Sequence, residues 1–157
     1  MKKVVKVMLP LLFASASFAQ SIATWQRIVG VITAPGVSNP VAGIPSGGLP
    51  WTTTTGSASV NLMNGDVTFD VVGLVLVGGN NSGTPDGVTS VKGTLVCDPG
   101  AGDQVIIDTP AVPLSSQGIA DFTGKLASAP PPTCINPVFL IRVASSNVWI
   151  ATGAVRL

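Results

Sequence analysis

The segment SASVNLMNGDVTFDVV, residues 57–72, alternates between polar and apolar positions. A period of two residues is typical of strands that bury one face. Asn64 and Gly65 lie in the middle and favour a two-residue type I′ turn, because both residues tolerate positive φ. The pattern therefore predicts a hairpin with these facing pairs: Leu62 with Val67, Val60 with Phe69, and Ala58 with Val71.

The same short alternating pattern recurs along the chain, and no segment shows a sustained helical period. A Pro/Gly-rich loop, residues 34–50, separates the first strand from the hairpin. About seven or eight short strands divided by turn signals predict a single antiparallel β-sandwich of immunoglobulin-like kind. The other predicted strands are residues 26–33, 88–97, 104–112, 118–126, 138–143 and 147–155.

The first residues, MKKVVKVMLPLLFASASFAQ, have the pattern of a signal peptide: a basic start, a short apolar run and small residues before a cleavage site. We expect residues 1–19 to be removed after Ala19, which leaves residues 20–157 as one domain. The protein would then be secreted, periplasmic or held at the cell surface, with no membrane span. A membrane anchor is the alternative, but it needs roughly 20 apolar residues, and Pro10 interrupts a shorter run. An outer-membrane barrel would need two aromatic girdles, which the few aromatic residues do not supply.

Charge and composition narrow the possible functions. The chain has 8 Lys and Arg, 7 Asp and Glu, and no His. Loss of the three leader lysines leaves 5 basic residues against 7 acidic ones, a net charge of −2, which disfavours nucleic acid as a partner. Without His, neither Ser-His-Asp nor Cys-His catalysis is possible in this chain. We find no nucleotide-binding motif and predict no cofactor and no catalytic residue. The two lysines that remain, Lys92 and Lys125, are predicted to be solvated.

Aspartates in two Gly-rich turns are the candidates for a metal site. Asp86 lies in NNSGTPDG, and Asp98 and Asp103 lie in CDPGAGD. Calcium binds carboxylate and carbonyl oxygens, so a calcium-dependent or Asp-based hydrolase is the enzymatic alternative. Asp in such turns also serves turn geometry alone.

Cys97 and Cys134 form an even pair in a chain predicted to be exported. Such a pair indicates a disulfide. Two free thiols or half of a metal site is the alternative.

Two features suggest surfaces that contact other molecules. Trp51 and Trp149 could stack against a sugar ring, although a core position is the simpler interpretation. The predicted closing hairpin, VFLIRVASSNVWIATGAV, is apolar on both faces, so either a loop or a partner must cover the second face. The chain has few lysines that could protect the strand edges from pairing with another chain. Assembly of copies into a fibre or coat, through edges or this hairpin, is therefore an alternative, and so is a homo-oligomer.

The stretch TGSASVNLMNGDVTFDVVGLV resembles the CHRD domain, a secreted β-sandwich repeat, and the ending FLIRVASSNVWIATGAVRL is similar to that family's last hairpin. The resemblance implies an exported CHRD-like sandwich. The family's His-x-His and its closing-hairpin His are missing here, so no metal or ligand role carries over from them. The matching positions are Gly56, Ala58, Val60, Leu62, Gly73 and Leu74.

These observations lead to one main hypothesis about function. We expect an exported, non-catalytic β-sandwich protein with a binding or surface-structural role, whose partner is a protein or a glycan at the cell surface.

Overall fold

The computed structural model describes residues 21–157, so the predicted signal peptide lies outside the described residues. This part of the chain forms strands and contains no helix, and hence none that is long and apolar enough to cross a membrane. The strands are β1 (Ile22–Gly30), β2 (Trp51–Thr52), β3 (Thr55–Asn61), β4 (Asp66–Val72), β5 (Val75–Leu76), β6 (Ser90–Cys97), β7 (Val105–Asp108), β8 (Val112–Pro113), β9 (Ala120–Lys125), β10 (Val138–Val143) and β11 (Trp149–Arg156).

Nine of these strands form one antiparallel sheet in the order β7-β6-β10-β11-β1-β3-β4-β9, with β8 paired to β6. β2 and β5 form a separate pair. The predicted all-β class is therefore confirmed. The sheet curls, because rings from strands that are not neighbours meet inside it: Phe139 of β10 lies 5.8 Å from Phe69 of β4 and 5.5 Å from Trp25 of β1, between ring centroids.

The hairpin of β3 and β4 keeps its predicted faces but not its predicted register. Val60 pairs with Val67, and Phe69 pairs with Ala58, whereas the sequence pattern had placed Val60 opposite Phe69. The register prediction is wrong by two residues. Because side chains alternate with a period of two, a shift of two leaves the same residues on the buried face, and Val60, Val67 and Phe69 are all buried.

The turn of this hairpin is longer than predicted. Residues 62–65 connect the two strands. The side-chain oxygen of Asn61 accepts the backbone N–H of Met63 at 2.9 Å and of Asn64 at 3.3 Å. Of the predicted pair, Gly65 alone takes a positive φ, at 74°. The two-residue type I′ turn is therefore wrong, because the Asn61 side chain stabilises a longer turn.

The Pro/Gly-rich loop packs against the sheet. The indole N–H of Trp149 donates to the carbonyl of Asn39 at 2.9 Å, and the amide of Gln104 donates to the carbonyl of Ala42 at 2.9 Å. Ile44 in the same loop is buried. These contacts hold the loop against β11 and the start of β7.

The two surfaces suggested for assembly are largely covered within the chain. In the closing hairpin, Phe139, Leu140 and Ile141 of β10 are all fully buried, so both faces of this strand are covered. The two edges of the curled sheet come together where the N–H of Ala127, just after β9, donates to the carbonyl of Asp108 in β7 at 2.8 Å. Strand addition therefore has less open edge than the sequence suggested.

A disulfide joins Cys97, at the end of β6, to Cys134 in the Pro-rich segment before β10, with the two Cα atoms 4.8 Å apart. The bond fastens this segment to the end of the sheet. Residues 130–137, which we call the proline segment, cross that end between β9 and β10.

Replacing both cysteines by alanine should lower the free energy of unfolding by about 4 kcal/mol, because the bridge closes a loop of 37 residues that restrains the unfolded chain. Guanidinium unfolding of the oxidised protein and of the double variant measures this. A loss below about 1 kcal/mol would contradict the structural role of the bridge.

Gly93→Ala should destabilise the protein by about 1 to 3 kcal/mol, because a Cβ at Gly93 would stand 2.7 Å from the Phe139 ring and 2.9 Å from the Phe69 ring. Gly102→Ala is the matched control, since nothing lies within 4 Å of its Cβ position. Thermal unfolding of the two variants compares them. Equal stability would mean that the curl does not depend on this close approach.

Candidate functional site

Neither tryptophan of the predicted sugar platform presents an open ring. Trp51 in β2 and Trp149 in β11 are each only 6% exposed. The Trp149 indole is held by Asn39, and Trp51 lines a shallow groove of about 360 Å³ beside Leu76. Their placement fits a core role and does not support sugar stacking.

The three candidate calcium ligands lie in turns, as their sequence context suggested. Asp86 and Asp98 adopt left-handed backbone conformations, with φ of 47° and 54°. The Asp98 carboxylate accepts the N–H of Ile135 at 3.0 Å, and Asp86 accepts a hydrogen bond from Asn81. Residues 21–157 contain no group of three or more acidic, Cys or His side chains that could hold a metal ion. The structure therefore does not assemble Asp86, Asp98 and Asp103 into one site.

A polar cluster on the outer face of β6, β7 and β10 was not predicted from the sequence. Its centre is the Asp108 carboxylate, which lies 2.6 Å from Lys92 Nζ and 3.0 Å from Arg142 Nη1. The hydroxyl of Thr94 donates to the same carboxylate at 2.7 Å. Lys92 also donates to the Asn147 side chain at 2.6 Å, and Arg142 Nε donates to the Asn147 carbonyl at 2.8 Å. The prediction of a solvated Lys92 is wrong, since its side chain is only 15% exposed.

Opposing influences act on the pKa of Asp108. Partial burial raises this pKa, but hydrogen bonds from Lys92 and Thr94, together with the charges of Arg142 and Lys92, outweigh burial and leave it below its ordinary value. Asp108 is therefore ionised at neutral pH, and its carboxylate oxygens are occupied by the hydrogen bonds and ion pairs with its neighbours. A carboxylate in this state is a poor general base.

The cluster is a structural device. In the described part of the chain, every buried side-chain nitrogen or oxygen has a hydrogen-bond partner. The cluster joins three strands that come from distant parts of the sequence, with Lys92, Asp108 and Arg142 on β6, β7 and β10. Both cations and Thr94 are held by the one Asp108 carboxylate, so we assign the cluster to stability.

The groove at the end of the sheet, which we call the end groove, is the best candidate for binding. It has a volume of about 750 Å³ and is bounded by the start of β1, the β3–β4 turn, the proline segment and the end of β11. Its lining is mostly apolar, with Ala23, Leu62, Met63, Pro130 and Ile135. Met63 is 79% exposed and Ile135 is 57% exposed, so large apolar side chains stand open to solvent here. Exposed apolar surface of this kind is typical of interaction sites.

Several bonds fix the walls of the end groove. The N–H of Leu62 donates to the carbonyl of Ser21 at 2.8 Å, which ties the β3–β4 turn to the start of β1. On the opposite wall, Asp98 and Ile135 are joined by two hydrogen bonds, one from each backbone N–H, of 2.9 Å and 3.0 Å. The disulfide at Cys134 holds the same wall. The groove is therefore formed before any ligand arrives.

One cation stands at the rim of the end groove. Arg156, in register with Trp25 of β1, lines the groove. Within residues 21–157 its guanidinium makes no ion pair or side-chain hydrogen bond, and the same is true of Arg27, which does not line the groove, whereas Lys92, Lys125 and Arg142 are all in ion pairs. An unpaired cation beside apolar walls is suited to a ligand with one anionic group.

Sequence reasoning missed the end groove because its walls come from four separate parts of the chain. The sequence predicts no strand in the segment ASAPPPTCINP, and Cys134 is the one residue there with a predicted role, in the disulfide. Its prolines together with the adjacent cysteine were the available signal, since a disulfide holds such a segment in place.

Comparisons with known proteins found no matching family model, no matching curated protein and no matching solved structure. By its fold, the chain belongs to the all-β class and has a curled antiparallel sheet. The CHRD resemblance stays a prediction.

Asp108→Asn should destabilise the protein at pH 7 by about 2 kcal/mol, because Lys92 and Arg142 lose a charged partner. Since the folded pKa of Asp108 is lowered, its contribution is complete above the unfolded pKa of about 3.9 and is lost as pH falls through the folded value. The difference in unfolding free energy between wild type and variant should therefore shrink below about pH 4, as urea titrations at several pH values would show.

The control is Asp66→Asn, which breaks the exposed pair with Lys125 and should have a much smaller effect. A wild-type advantage over Asp108→Asn that persisted unchanged at low pH would contradict the role given to the carboxylate charge.

Proposed function

We propose that this chain is an exported, non-catalytic β-protein that binds a ligand in the end groove after removal of residues 1–19. The observation that carries the proposal is the groove itself, with its volume of about 750 Å³ and its apolar lining. Small-molecule sites are commonly concave, mostly apolar and of about 300 to 1,000 Å³. This groove has those properties, and its walls are fixed by bonds within the chain.

Export is supported by the leader pattern and by the disulfide, because disulfides persist in oxidising compartments such as the periplasm or the extracellular space. We further propose that the curled sheet is a two-layer β-sandwich. The contact between Phe69 and Phe139, whose strands are not neighbours in the sheet, supports two facing layers. A CHRD-like origin would agree with both proposals.

The absence of catalysis is supported by the chemistry of the acidic residues. Asp108 is held by three partners, Asp86 accepts a hydrogen bond from Asn81 within its turn, and Asp98 accepts one from the backbone N–H of Ile135. The chain has no His to act as a general base. A calcium-dependent or Asp-based hydrolase, with Asp103 among its candidates, is therefore the weaker proposal.

A subunit of a surface fibre or coat is the alternative from another class. Its support is the exposed apolar surface outside the end groove, of which Ile32 is the clearest case at 87% exposure. A protein that stays monomeric over a wide concentration range in sedimentation would exclude it.

Nile red, a neutral dye that fluoresces in apolar surroundings, should bind the exported protein in the end groove. Ile135→Asp should weaken this binding about tenfold, because it places a charge in an apolar site. Fluorescence titration of the wild type and the variant gives the affinities.

Ile32→Asp is the matched control, because Ile32 is even more exposed than Ile135 and does not line the end groove. The proposal predicts that this variant binds the dye as the wild type does. Equal weakening by both substitutions, or no dye binding by the wild type, would contradict a binding site in the end groove.

A further inference from the structure

We propose that the ligand of the end groove is a free fatty acid, with its apolar tail along the proline segment and its carboxylate on Arg156. This inference rests on the proposed function and specifies its ligand class. Three properties of the groove lead to it: the chemistry of the walls, the single unpaired cation and the size.

The walls of the groove offer almost no hydrogen-bond donors. Pro130, Pro131, Pro132 and Pro137 line it, and a proline nitrogen within a chain carries no hydrogen. Ala23 and Leu62 contribute only apolar side chains to the opposite wall. A polar group buried here would lose its hydrogen bonds to water without gaining others, so the part of the ligand inside the groove must be apolar.

The head group of the ligand is indicated by Arg156. Its guanidinium lies at the rim and has no ion-pair partner within residues 21–157. Guanidinium groups bind carboxylates through two parallel hydrogen bonds. Ser21 and Thr133 are the other residues of the lining with polar side chains. The site therefore has one apolar wall region and one cationic end.

The size of the groove favours a ligand with a single apolar tail. Its volume of about 750 Å³ is in the range of sites for a single small molecule. A membrane lipid with two tails would need more apolar surface than this lining supplies. A sugar ring stacked on an aromatic side chain does not fit this groove, because the lining contains no aromatic residue.

The preference for a carboxylate head group can be tested by displacing Nile red with dodecanoate or with dodecanol. Both ligands are used below the concentration at which they aggregate. These two ligands share one tail and differ in charge. Wild-type protein purified in its exported form should bind dodecanoate about tenfold more tightly than dodecanol. Arg156→Gln should remove this preference.

Arg27→Gln is the matched control, because Arg27 is an exposed arginine on the neighbouring strand β1 that does not line the groove. It makes the same change in net charge and should keep the full preference for dodecanoate. Equal loss in Arg27→Gln and Arg156→Gln would overturn the inference, since the preference would then come from net charge alone.

The outcomes separate the ligand class from the proposed function. If Nile red binds and Ile135→Asp weakens it, but dodecanoate and dodecanol bind equally, the fatty-acid inference fails and the binding function stands. If Nile red does not bind at all, both fail.

Other occupants of the groove would also overturn the inference. A second copy would appear as a dimer by light scattering, with Met63 protected from oxidation before any ligand is added. The chain's own leader would be detected by mass as retained residues 1–19 in a protein that binds neither ligand. A monomer with accessible Met63 and a preference that depends on Arg156 supports the fatty acid.

Discussion

The contact of Phe69 with Phe139 is the interaction on which the rest of this structure depends. The two rings belong to β4 and β10, between which three other strands lie in the sheet, and they meet only because the sheet curls. Gly93 allows this contact, since any Cβ there would collide with both rings. Aromatic pairs of this kind add stability beyond the apolar area that they bury.

The curl also creates the end groove. It brings the turn after β3 and the segment before β10 to the same end of the sheet, although Met63 and Ile135 are far apart in sequence. The disulfide and the bonds between Asp98 and Ile135 then fix one wall. The curl and these bonds together position the apolar surface that we propose binds a ligand.

Much of the local structure could be predicted from the alternation of residues. The all-β class and the buried faces of β3 and β4 followed directly from it. The register did not, because a shift of two residues keeps every face the same and hydrogen bonds to the Asn61 side chain stabilise the longer turn. The first strand was predicted to begin at residue 26 but begins at Ile22, because the consecutive exposed residues Gln26 and Arg27 interrupt the alternation.

The candidate sites were harder to predict, since both depend on residues that meet only after folding. Lys92, Asp108 and Arg142 show no local pattern in the sequence, and an outward position on a strand suggested only solvation. The end groove is formed by a proline segment whose sequence indicates no regular structure. For Trp51 and Trp149 the sequence left sugar stacking open beside the simpler interpretation of a core position, and both are buried. The composition predicts which catalytic chemistries the chain lacks, but it does not show which distant residues meet to form a groove or a polar cluster.

The most direct test of the end groove as a binding site is an NMR titration of isotopically labelled exported protein with dodecanoate. Our account predicts that the methyl signals of Ala23, Leu62, Met63 and Ile135 shift together and saturate with a single affinity. Shifts that are centred on the shallow groove beside Trp51, or that spread over the surface without saturation, would contradict it.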